Sequence, residues 1–333
     1  MKRREFIALL GGAAAAWPVA AHAQQTRPVR RIGVLMLYPE KDPQGELRAG
    51  VFQRKFQRKL EKAGWRIGGN LQIDFHWGTG DAEWVRSAAE QMLQQAPDVM
   101  LANGDAAVKA AQQSTRTVPV IFIASGDPVG DGLVASLAHP GGNVTGFAVM
   151  EPTLGTKLLG MLKQVAPQVA RVGVLVNPDN ATHQRILALL AAAAPGFAVE
   201  MVKAPAREAG PIGAAITQWS QSGNYGLIVP SDPTTNAQRK LIIELAARYR
   251  MPAIYALRAA TADGGLMSYG VDIPEWFRQS AIYADRVLRG EKPADLPVQL
   301  PTKFELVINL GTAKTLGVIM PQTLLVAADE VIE

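Results

Sequence analysis

Ile32-Gly33-Val34-Leu35-Met36-Leu37 opens the unit that decides the fold. The run carries no charge and no polar side chain, which suits a strand buried on both faces. Leu47, Val51, Phe52, Phe56 and Leu60 then recur at helical spacing and stop at Gly64. The same alternation continues outward. Strands are expected over 71–77, 98–102 and 118–124, with helices marked by Val85, Ala88, Ala89 and Met92 and by 106–111. Near-continuous apolar strands separated by amphipathic helices indicate a parallel sheet covered on both sides.

A second set begins after Pro167. Strands are expected over 171–176, 197–202, 225–229 and 252–255, and helices over 180–193, around 212–219 and over 236–249. The last helix reads as capped by Thr235 and Gln238. The tail adds strands at 265–269 and 304–308 and helices at 276–288 and 312–317. The fold class is therefore α/β, with two doubly wound parallel-sheet lobes joined by a multi-strand hinge. The N-terminal lobe is expected to take 30–148 plus 272–292, and the C-terminal lobe 149–271 plus 293–333. Crossings fall near 147–153, 269–273 and 292–303. Several crossings between two sheets make a hinge, and a hinge makes a cleft that can close.

Upstream of this, Met1 to Ala23 has a basic head (Lys2, Arg3, Arg4), an apolar stretch and the small residues Ala21-His22-Ala23. That layout is an export signal, with cleavage expected before Gln24. Arg3-Arg4 also suits the twin-arginine route, and the choice between routes stays open. The chain has no cysteine, which excludes disulfides, thiolate chemistry and a lipid-bearing cysteine. A soluble periplasmic protein, expected monomeric, follows. Of the net charge of +5, the first 23 residues hold +2 (Lys2, Arg3 and Arg4 against Glu5), and the remainder is interspersed. No basic stripe interleaved with aromatics points to nucleic acid.

In open parallel sheets a ligand lies beyond the carboxyl ends of the strands. Those ends place Tyr38 and Gln44 after the first strand, and Asn103, Gly104 and Asp105 after the third. Ser125 and Asp127 follow the fourth strand. Asn177, Asp232, Thr235 and Tyr255 stand on the second lobe, and Tyr269 lies near the hinge. Each also has a plainer reading: Asx-Pro pairs make turns, Asp and Asn cap helices, and a Tyr near a strand end can be partial core. The catalytic inventory is thin. The mature chain holds His76, His139 and His183, without metal-ligand spacing, G-x-S-x-G or a Walker loop. No catalytic residue, metal or cofactor is expected. A hydrolase lacks support.

Val118 to Phe122, Ser125 to Leu137 and Pro140 to Gly146 together resemble the signature stretch of a family of ABC-transporter substrate-binding proteins related to tryptophan- and tyrosine-binding receptors. Val174 to Pro178, Ala246 to Tyr255, Gly264 to Gly270, Asn309 to Lys314 and Asp329 to Val331 match as well. The resemblance implies a type I periplasmic-binding fold and delivery of a small solute to an inner-membrane ABC permease. In better-understood members the solute is an aromatic amino acid. Carried over by position, this points to Asn103, Gly104, Ser125, Asp127, Asn177, Asp232 and Tyr255. At Asp127 a carboxylate would suit a ligand ammonium. Pro39-Glu40-Lys41-Asp42-Pro43 is more charged than the family's first loop. A sensor feeding a membrane kinase or chemoreceptor would share every one of these features.

Overall fold

The computed structural model describes residues 29–37, 50–78, 82–149, 153–301 and 303–333. Five parallel strands form the first sheet: β1 (Arg30–Met36), β2 (Leu71–Trp77), β3 (Val99–Asn103), β4 (Val120–Ser125) and β5 (Val144–Ala148), in the order β2-β1-β3-β4-β5. β3 is buried along its whole length, as a covered central strand must be. β5 was not among the expected strands. It is short and ends at the crossing, so its apolar run is hard to distinguish from a linker.

The second sheet holds β6 (Arg171–Val176), β7 (Glu200–Pro205), β8 (Tyr225–Val229), β9 (Ala253–Tyr255), β10 (Met267–Val271), β11 (Phe304–Asn309) and β12 (Glu330–Ile332). Their order is β12-β11-β10-β9-β8-β6-β7, parallel except that β11 runs antiparallel to β10. β6 and β8 coincide with their expected spans. β7 starts three residues later than the expected strand, because Ala194–Phe197 forms a 3-10 turn and Ala198 takes a left-handed conformation.

The helix expected over 236–249 also differs. It begins at Pro233, breaks at Gln238 and resumes as Arg239–Arg248. Its cap is Asp232 with Thr235, rather than Thr235 with Gln238. Proline at the first helical position costs no hydrogen bond, which lets the helix start before Thr235.

The chain crosses between the sheets after β5, after β10 and before β11. On the second crossing it enters the helix Ile273–Leu288, whose Trp276, Phe277, Ala281 and Ala284 join the core over the first sheet. Phe277 meets Phe52 edge-on with ring centroids 5.6 Å apart. Residues 293–299, expected with the C-terminal lobe, also pack on the N-terminal one. Leu296 and Val298 are buried in its cores, Thr145 Oγ1 donates to the Leu296 carbonyl at 2.6 Å, and Gln299 pairs with Gly146 and Ala148. Pro293 and Pro297 keep this stretch irregular, so its side of the molecule is set by tertiary packing alone.

Candidate functional site

The carboxyl ends of both sheets face one another across a cleft with a cavity of about 420 Å³. That size lies in the ordinary range for small-molecule sites, roughly 300–1,000 Å³. The first lobe supplies its polar floor. β3 ends at Asn103, and Gly104 turns with φ 89°, a left-handed conformation that glycine adopts without strain. The helix Asp105–Ser114 begins at once and has no side-chain cap. Asp105 Oδ1 accepts the Gly126 N–H at 3.0 Å.

The second lobe supplies an organised polar wall. Asp232 is buried, and its Oδ1 accepts the Thr234 N–H at 2.9 Å. Its Oδ2 accepts the side-chain amides of Asn177 at 3.1 Å and Asn180 at 2.9 Å. One carboxylate thus joins the loops after β6 and β8. His183, fully buried in the helix Ala181–Ala193, joins the same loops from behind. The Asn177 N–H donates to Nδ1 at 2.9 Å, and Nε2 lies 3.1 Å from the Ser231 carbonyl. Burial holds the imidazole pKa below its ordinary value, against the pull of Asp232.

The other end of the cleft is apolar. Tyr269 and Phe304 stack with centroids 5.2 Å apart and planes 12° from parallel. The Lys157 ammonium lies 5.4 Å from the Phe304 ring centre. Trp276, Leu154 and Ile254 complete that end, and burial pushes the Tyr255 hydroxyl well above its ordinary range. The arrangement can take a molecule with one charged or hydrogen-bonding end and one flat apolar end. Among the described residues, no group of three His, Asp or Glu side chains is placed to hold a metal ion.

The lobes also touch each other directly. Thr182 Oγ1 donates to Asp105 Oδ2 at 2.5 Å across the cleft. Arg185, three residues further along the same helix, donates to Asp131 Oδ1 at 2.6 Å and stands 3.7 Å from Asp127 Oδ2. The Asp131 side chain is only 9% exposed, so salt screens this pair less than a surface ion pair, while removing one partner leaves a poorly solvated charge behind. Arg185→Ala should weaken solute binding by roughly three- to tenfold through loss of this inter-lobe contact, with the effect shrinking in high salt. Titration calorimetry at low and high ionic strength measures both.

Asn103, Gly104, Asp105, Asn177, Asp232, Tyr255 and Tyr269 all line the cleft. Tyr38 and Gln44 lie outside the described residues. Three residues expected at the site stand elsewhere. Ser125 is fully buried beneath it. Asp127 folds back through its Asp-Pro turn to accept the Gly130 N–H at 2.8 Å, which leaves it on the lobe-to-lobe ion pair. Thr235 is buried behind the wall, where its hydroxyl donates to the Pro230 carbonyl at 2.8 Å and accepts the Asp232 N–H. Thr235→Val should therefore cost about 1–3 kcal/mol of stability, read by chemical denaturation, by orphaning both groups. Sequence reasoning missed Lys109, Thr182, Trp276 and Phe304, which also line the cleft. Lys109 had a signal, since it stands one helical turn after Asp105.

The model of one protein family, described as ABC transporter substrate binding protein, matches residues 49–332. A tyrosine-binding protein of Clostridioides difficile is 27% identical over 265 residues, covering 79% of this chain and 76% of that one. Two solved structures are similar over 91% of this chain and 99% of their own. One is a conserved domain protein from Vibrio cholerae, 26% identical with a TM-score of 0.83. The other is an ABC domain from Streptococcus pneumoniae in complex with L-Trp, 25% identical with a TM-score of 0.82.

Proposed function

This chain belongs to the ABC transporter substrate-binding protein family, and we propose that it is the periplasmic receptor of an importer, closing its lobes on an aromatic or other hydrophobic amino acid or a related carboxylate. Proteins of this family bind solutes outside the cytoplasmic membrane. Among the described residues no helix is long and apolar enough to cross a membrane. The observation that carries the reading is the two-ended cleft. Its polar end combines Asn103, Asp105, Asn177 and Ser231, and its apolar end holds the stacked Tyr269 and Phe304.

The two helix starts at the polar end differ in a way that orients the solute. Asn180 already accepts the Thr182 and His183 N–H groups of its helix. The helix at Asp105 has no side-chain cap, so its first-turn N–H groups are left for a solute carboxylate. Asp105 then stands where an ammonium group would pair with it. The aromatic side chain would lie toward Tyr269, Phe304 and Trp276. The closed outline, joined by Thr182, Arg185 and Asp131, is what an inner-membrane permease would meet. No residue is assigned a catalytic role.

A thermal-shift panel on the chain from Gln24, unfolded and refolded to strip carried-over solute, tests this. Aromatic amino acids at a hundred times their dissociation constant should add about 2.7 kcal/mol of stability. A response to sugars or dicarboxylates instead would keep the receptor and overturn the solute. Silence across the whole panel would overturn the reading.

A further inference from the structure

His183 has no part in the solute contacts above, yet it is fully buried directly behind them. Its two ring nitrogens have unlike partners. The Asn177 N–H is an obligatory donor and the Ser231 carbonyl an obligatory acceptor, so the neutral ring carries its proton on Nε2. This is the one tautomer that serves both. A charged imidazolium has no lone pair on Nδ1, and its N–H would point at the Asn177 N–H.

We propose that His183 is a positioning residue for the solute: its neutral ring pins the backbone of Asn177 to that of Ser231, and so sets the spacing of the two loops that form the cleft's polar wall. The inference rests on the cleft being the solute site. Both loops line it, and Asp232 joins them only through the Asn177 and Asn180 side chains, leaving their backbones to the ring. Asp232 on the β8 loop is the charged group that acts on the ring; on the neighbouring segments Asp179 pairs with Arg207, Arg185 with Asp131 and Asp127, and Asp105 accepts the Thr182 hydroxyl from the other lobe. Asp232 favours a charged ring and burial opposes it, with burial the larger effect.

Two pH dependences follow. The folded ring holds a proton less readily than the unfolded chain, whose histidine titrates near 6.5. The site's contribution to stability is therefore complete above that pH and lost as pH falls below it toward the lowered folded value. Solute binding needs the wall in its neutral-ring spacing, so affinity is level above pH 6.5. Below the ring's own pKa it falls, by at most tenfold per pH unit for one proton.

The test compares wild type, His183→Gln and His183→Ala with L-tryptophan and L-tyrosine as probes at pH 8 and pH 5. It adds nitrogen-15 spectra of the ring and of the Asn177 amide in the solute-free wild-type chain. Glutamine offers an acceptor and a donor in one uncharged amide. Wild type should lose affinity over the same pH range in which its ring takes up a proton in the nitrogen-15 spectra. His183→Gln should bind within about threefold of wild type at pH 8 and show no such loss, and His183→Ala should be at least tenfold weaker at both. The ring should carry its proton on Nε2, and the Asn177 amide should shift as the ring titrates. A proton on Nδ1, an Asn177 amide indifferent to ring charge, or His183→Gln keeping the wild-type pH slope would each overturn the proposal. If neither amino acid binds at pH 8, the solute reading fails, and the spectra alone decide the role of His183.

Discussion

Gly126→Val should leave both lobes folded and weaken solute binding by about 5- to 150-fold. A Cβ at position 126 would stand 2.1 Å from Thr182 Oγ1, 3.0 Å from Thr182 Cβ and 3.1 Å from Arg185 Nη1. All three atoms belong to the opposite lobe. Gly126 does not take the left-handed conformation, so valine meets no backbone strain within its own lobe. The clash exists only when the lobes meet. Overpacking of this kind costs roughly 1–3 kcal/mol, and here the cost falls on the closed state alone. A solute that needs closure then loses affinity by the same free energy. Calorimetric titration beside a solute-free denaturation curve separates the two effects. Unchanged affinity would mean that closure through Thr182 plays no part in holding the solute.

Asp232→Ala should be the most damaging single change in the polar wall, costing about 4–7 kcal/mol of stability and most of the solute affinity. The buried carboxylate is at once the cap of the helix Pro233–Ala237 and the acceptor for two side-chain amides of the β6 loop. A lost cap alone costs about 1 kcal/mol, and hydrogen bonds to a charged group are worth about 1.5–3 kcal/mol each. Alanine leaves the Asn177 and Asn180 amides without their acceptor. Asp232→Asn keeps one acceptor oxygen and should lose less than half as much stability. Denaturant unfolding of both variants measures the difference. Equal stability of Asp232→Ala and wild type would show that the amides find other partners.

Elements held by local pattern were legible from residues alone. β6 beyond Arg171 and β8 are unbroken apolar runs between turn signals, and their ends are those expected. The buried stripe Val85, Ala88, Ala89 and Met92 follows directly from helical spacing. Most of the cleft was legible too, because strand ends in a parallel sheet must converge. Side-chain direction was not. Asp127 and Thr235 sit in loops of the right address, and each turns to satisfy its own backbone instead. The lobe-to-lobe contact of Thr182 with Asp105 joins positions 77 residues apart, and no local spacing encodes it. The same holds for residues 293–299, whose packing on the first sheet involves the burial of Leu296 and the bond from the Thr145 hydroxyl to its carbonyl.

The central claim is that this cleft closes on one hydrophobic amino acid. Titration calorimetry of the refolded chain with L-tryptophan and with L-tyrosine at pH 7.5 tests it most directly. The account predicts saturable one-to-one binding of at least one of them, with a negative heat-capacity change from burying the ring against Tyr269, Phe304 and Trp276. Absence of binding by both would contradict it, as would saturable binding that Gly126→Val and Asp232→Ala leave untouched.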